Sequence, residues 1–114
     1  MNLNGDRVKY KVNFVSEAEE DLFQIYKYVF LNDSENNAEK LYSKLREKCL
    51  LLQEFPKRGH IPPELSLLDV GDFLEIHYKL YRIIYRIIKR EVFIHCIIDG
   101  RRNIQEILVE RLLR

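Results

Sequence analysis

Four arginines, one histidine and one glutamate are the residues whose types and spacing suit chemistry. Arg82 and Arg86 lie in the run Tyr81–Ile88, YRIIYRII. Side chains alternate between faces along a strand, so both arginines project from one side of it. Arg101 and Arg102 follow the last apolar run, and His77 and Glu64 precede Arg82. Guanidinium groups stay protonated and hold carboxylates or phosphates in a fork, which suits them to gripping an anionic partner and not to shuttling protons. Proton transfer would fall to His77 or Glu64. Arg82, Arg86, Arg101 and Arg102 are therefore candidate partner-binding residues. Plain structural roles compete with both: a strand histidine is commonly just hydrogen-bonded, and a strand arginine can snorkel at a sheet edge.

Charge is divided along the chain. Residues 76–114 hold nine Lys/Arg against four acids, whereas residues 1–75 hold ten against fourteen, for a total of +1. A basic C-terminal half attracts phosphates or acidic protein segments even when the sum nearly cancels. The same total is meagre for extensive RNA binding, which rests on many phosphate contacts.

The elements that must position these groups form one domain, since 114 residues with 46% hydrophobic content suit a single core spanning 1–114. Residues 1–9 are polar and aperiodic and are expected to be a flexible lead-in. Tyr10 to Val15 alternates, with Tyr10, Val12 and Phe14 on one face of a first strand. Ser16 with Glu19 has the spacing of a helix capping box, and Ala18, Leu22, Ile25 and Val29 make an apolar stripe up to about Leu31. Asn32-Asp33-Ser34 starts a second helix with the stripe Ala38, Leu41, Leu45, Cys49 and Leu52, ending near Phe55 before Pro56. Lys57 to Gly71, punctuated by Gly59, Pro62, Pro63 and Gly71, reads as a surface loop. Three β-branched and aromatic runs between Phe73 and Arg102 predict an antiparallel meander. Asn103 and Glu106 cap a short closing helix carrying Ile104, Ile107, Leu108 and Leu112. The fold class is α+β: an N-terminal strand and an antiparallel α-hairpin packed on a three-stranded meander, four strands in all, then a short helix. Tyr81, Ile83, Tyr85 and Ile87 are expected to meet the hairpin, leaving the arginine face open as a cationic patch.

Cys49 and Cys96 lie inside apolar segments and read as reduced core residues of a cytoplasmic protein. No apolar run approaches the roughly 20 residues of a membrane span. No cofactor and no metal is expected.

PKRGHIPPEL, YRIIYRII and VFIHCIIDGRRNIQEILVERLLR, in this order of elements, resemble the RelE/ParE superfamily of type II toxins, also called plasmid stabilisation proteins. The likeness runs from about Tyr10 to Arg114, and its most specific parts are Tyr81 to Tyr85 and the pair Arg101-Arg102. It implies a small bacterial toxin held inactive by a cognate antitoxin whose C-terminal segment wraps it, with a homodimer or a heterotetramer as possible assemblies. RelE-like members cleave mRNA in the ribosome by activating the RNA 2′-hydroxyl, whereas ParE-like members inhibit DNA gyrase without a nuclease site. Arg82 matches the strand arginine of the nuclease branch and Arg102 its second arginine. The basic positions of the preceding strand fall near Leu74, Glu75 and His77, and the C-terminal tyrosine position near Leu108. Half of that catalytic set is thus replaced, which favours the non-catalytic, ParE-like branch. The alternatives that the resemblance implies are a ribosome-dependent mRNA endonuclease with the catalytic set Arg82, Arg102, His77 and Glu64, and a binding module of this fold without toxicity.

Overall fold

The computed structural model describes residues 9–66 and 72–112. Strand β1 is Lys11–Phe14, and helices α1 (Ser16–Asn32) and α2 (Glu35–Leu50) form the hairpin, with a 3-10 turn at Leu51–Gln53. A four-residue helix α3 (Pro63–Ser66) follows, then β2 (Phe73–Tyr78), β3 (Tyr81–Ile88), β4 (Glu91–Asp99) and α4 (Ile104–Leu112). The four strands form one sheet in the order β1-β4-β3-β2, with β1 parallel to β4 and the other pairs antiparallel. This is the expected α+β class and element order, with α3 added inside the stretch read as a loop. The expected lead-in lies outside the described residues except for Lys9, as does 67–71 of that loop. No helix among the described residues is long and apolar enough to cross a membrane.

Alternation in β3 divides two apolar layers. Ile83 and Tyr85 join Ala18 and Leu22 of α1, Leu45 and Cys49 of α2, and Leu52, all buried, with Tyr81 and Ile87 packed alongside. Ile84, from the opposite face, joins Leu65, Phe73, Cys96, Ile98, Ile104 and Leu108. The arginine face is therefore not the open surface expected of it: α3 and α4 cover its centre. The reason is the apolar side of α4, which needs burial as much as the hairpin does. Both thiols are buried, and desolvation pushes each up to about 12, so they behave as core side chains.

Caps differ in one place from the expectation. Ser34 accepts a hydrogen bond from the Asn37 N–H and Asn103 Oδ1 from the Glu106 N–H, so α2 and α4 start as read. Helix α1 instead starts at Ser16 itself, with Val15 in the N-cap position and no side-chain cap. The hydroxyl of Ser16 donates to Glu17.

Strand β4 switches faces midway. Its register with β3 pairs Ile84 with Cys96 and Tyr85 with Ile94, which leaves His95 as the extra residue of a bulge. Val92 and Ile94 point to the hairpin; beyond the bulge, Ile97 does so while Cys96 and Ile98 face α4. Strand β1 pairs only as far as Ile94. Asp21 on α1 takes over just beyond, accepting from the Ile97 N–H at 2.9 Å and from both terminal nitrogens of Arg111 on α4 at 2.7 and 2.8 Å. Arg111 also donates to His95 O at 3.0 Å, tying α1, β4 and α4 together at the sheet margin.

Candidate functional site

Strand pairing determines which polar groups meet. The register sets His77 opposite Arg82 and Glu75 opposite Ile84, and directly paired residues share a face, so Glu75, His77 and Arg82 lie together on the α3 side. Loop residue His60 is added by a two-way backbone bridge to Glu75, in which the His60 N–H donates to Glu75 O at 3.0 Å and the Glu75 N–H to His60 O at 2.7 Å. The approach depends on Gly59, where a Cβ would stand 2.6 Å from Tyr85 Oη and 2.7 Å from Glu75 O. Tyr85 holds this loop from below: its hydroxyl donates to Pro56 O at 2.7 Å and accepts from the Gly59 N–H at 3.1 Å. Glu64 arrives on α3.

Arg82 is the hub. Its side chain is only 11% exposed and is held by two carboxylates at once. Nη1 and Nη2 donate to the two Glu64 oxygens at 2.6 and 2.8 Å, while Nε and Nη2 donate to Glu75 Oε2 at 2.9 and 2.5 Å. The other Glu75 oxygen, Oε1, faces His60 Nε2 at 3.0 Å and His77 Nε2 at 2.7 Å. Hydrogen bonding from Arg82 holds the Glu64 carboxyl down at about 2, and Glu64 in turn raises Arg82. Glu75 is buried, with a side chain 2% exposed, whereas the imidazoles of His60 and His77 are 60% and 50% exposed. These groups line an open depression of about 400 Å³. Lys79 lines the same depression, so with neutral imidazoles two carboxylates face two cations and its formal charge is zero. The three ligating atoms of His60, Glu75 and His77 lie within 4.8 Å of one another and are a set that could hold a metal ion.

The sequence-predicted residues are thus partly assembled. Glu64, His77 and Arg82 converge, whereas Arg102 stands in the β4–α4 turn with its N–H on Asp99 O at 3.0 Å. Arg86 lies with its guanidinium carbon 5.5 Å from the Phe73 ring centre, and its buried Nε has no hydrogen-bond partner among the described residues. The rings of Phe73 and His95 pack edge to face with their centres 5.5 Å apart; burial, then the charge of Arg86, lowers the His95 pKa. Arg101 is solvent-exposed and forks onto Asp99 at 2.6 and 3.0 Å, and that hydrogen bonding holds Asp99 down at about 2. Sequence reasoning missed His60 and Glu75 as members. A carboxylate two positions from His77 carried the period-2 signal for Glu75, but the proximity of His60 exists only in three dimensions.

A family model, ParE toxin of type II toxin-antitoxin system, parDE, matches residues 12–104. None of the curated proteins matches. Among solved structures, a chain of the chromosomal ParDE toxin–antitoxin system from P. aeruginosa is similar, with a TM-score of 0.66 and 18% identity over 80% of this chain and 96% of that one. At that identity the likeness speaks for the fold. The family-model match spans most of the sequence, and the protein belongs to the ParE toxin family of type II toxin–antitoxin systems, within the RelE/ParE superfamily.

Proposed function

We propose that this toxin acts in the cytoplasm by binding DNA gyrase as a protein partner, and that a cognate antitoxin holds it inactive. The state of Arg82 carries this reading. A nuclease of the RelE type needs cations free to meet the extra negative charge of a phosphorane-like transition state. Here the strand arginine is part-buried, with a side chain 11% exposed, and matched by Glu64 and Glu75. A phosphate entering the depression would have to displace Glu64 and Glu75 from Arg82 before gaining it. What remains outside is suited to protein contact. Tyr28, Leu31 and Leu80 are large apolar side chains left more than half or half exposed. Tyr28 lies near enough to Tyr81 and Arg101 to interact electrostatically with both. Apolar groups beside an exposed arginine suit an amphipathic acidic segment of an antitoxin, with affinity drawn mainly from apolar burial. In this reading Arg101 and Arg102 are the partner-binding cations, and Arg82 and Arg86 hold the framework behind them.

Purified toxin added to gyrase and relaxed plasmid is expected to block supercoiling, and to leave mRNA intact when added to translating ribosomes. Cuts phased to codons in that second assay, with supercoiling unimpaired, would overturn the proposal. Growth arrest on induction, relieved by co-expressing the cognate antitoxin, is the expected cellular result; no arrest would favour a non-toxic module. The convergence of Glu64, Glu75, His60 and His77 on one depression is what favours mRNA cleavage as the second reading, since it supplies groups for acid and base. Under it, Arg82→Ala would abolish cutting by orders of magnitude.

A further inference from the structure

We propose that His60, Glu75 and His77 form a binding site for one divalent transition-metal ion of the zinc type. The observation that carries this is the aim of three ligand atoms, from two separate segments, at one place. His60 Nε2 and His77 Nε2 both address a single oxygen, Glu75 Oε1, at 3.0 and 2.7 Å, and all three atoms fall within 4.8 Å. Zinc–nitrogen and zinc–oxygen bonds of about 2.0–2.2 Å in a tetrahedral arrangement separate neighbouring ligand atoms by roughly 3.4 Å. The two nitrogen–oxygen spacings of 3.0 and 2.7 Å would have to widen, and the imidazole–imidazole spacing, within 4.8 Å, would close towards the same value as the rings turn onto one ion. Both imidazoles are half-exposed and free to make that adjustment, and their open side leaves room for water to complete the coordination.

The surroundings orient the carboxylate towards the two imidazoles. Glu75 Oε2 is already occupied by Arg82, so the carboxylate is oriented with Oε1 presented to the imidazoles. Glu64 offsets the guanidinium, so an arriving divalent ion does not meet an uncompensated arginine, and the lining, Lys79 included, sums to a formal charge of zero. A nitrogen-nitrogen-oxygen set of two imidazoles and one carboxylate suits zinc and its first-row neighbours. The scaffold is rigid on both sides: His77 lies on β2 opposite Arg82, and His60 is bridged to Glu75 by its backbone next to Gly59. Binding would pin the segment after Pro56 to the sheet. The site is independent of the toxin's target, and its failure would leave the gyrase proposal standing.

The test is titration of the purified full-length toxin with Co2+, followed by displacement with Zn2+ and competition against a chromophoric chelator. Visible d–d bands saturating at one equivalent are expected, and His60→Ala and His77→Ala should each weaken Zn2+ binding by about 100-fold or more. In the unsubstituted protein, the ring proton signals of His60 and His77 should move on adding Zn2+ while those of His95 stay in place, a readout that needs no variant to fold. Absence of d–d bands, unchanged affinity in both variants, or an intense near-ultraviolet thiolate band pointing to Cys49 or Cys96 would each overturn the proposal.

Discussion

Ile83, Tyr85 and Ile87 meet the α1–α2 hairpin across an apolar layer, while their neighbours one position along the same strand, Arg82, Ile84 and Arg86, meet α3 and α4 across a mixed one. The first face is closed mainly by apolar burial, with polar ties from the Tyr85 hydroxyl and from Asp21 at its margins. The second has a small apolar centre around Ile84, flanked by the Arg82–Glu64–Glu75 network on one side and by Arg86 against Phe73 on the other. Apolar contact is non-directional and tolerates modest repacking; a buried carboxylate bound by a guanidinium does not tolerate losing its partner. The two faces should therefore fail differently.

The largest effect is expected from Arg82→Ala, which leaves Glu75 buried without its cation. A loss of about 3–5 kcal/mol is expected in urea unfolding. A loss below about 1 kcal/mol would mean that the network does not hold the α3 side. Leu45→Ala probes the hairpin side and is expected to remove about 2–5 kcal/mol, measured the same way. Because that cost is cavity formation, adding charge or salt should not change it. Gly59→Ala comes next, at about 1–3 kcal/mol, because the new Cβ would strike Tyr85 Oη and the Glu75 carbonyl. Comparing ring signals of His60 and His77 in this variant would show whether the loop has lifted from β2.

The smallest expected effect is the pH dependence of Glu64. Its carboxyl titrates lower in the folded protein, at about 2, than its ordinary value of 4.5. Its contribution is therefore fully present above pH 4.5 and is lost as pH falls through about 2. As the side chain is 35% exposed, solvent screening limits the contribution to about 1 kcal/mol. Thermal unfolding scanned from pH 5 to 2 should steepen relative to Glu64→Gln, which lacks this titration. Identical slopes would place the acid sensitivity of the polar face elsewhere.

Local pattern made most of this fold legible. The stripes Ala18–Leu22 and Ala38–Leu45–Cys49, and the alternation Tyr81–Ile83–Tyr85–Ile87, are periodicities that burial imposes on sequence, and they read correctly. Three features were not legible. The bulge at His95 comes from a register mismatch between two strands, and neither strand alone encodes it. Helix α3 spans four residues, too few to show a period. Burial of Glu75 is the third, because in sequence it looks like one more polar residue alternating outward; only the cover of α3 and the arrival of Arg82 and His60 make it internal. The open cationic face was expected for the same reason, since the charge on Arg82 was visible while its two counterions were not assigned to it.

The parallel pairing of β1 with β4 joins Lys11 to Glu91. During synthesis, the first strand must wait for almost the entire chain before it can find its neighbour, and the sheet cannot close until β4 has left the ribosome. Such distant pairing slows the search for the native arrangement, because a long loop must close before any contact rewards it. For this chain the topology sets a delay between translation of the first strand and a finished sheet surface.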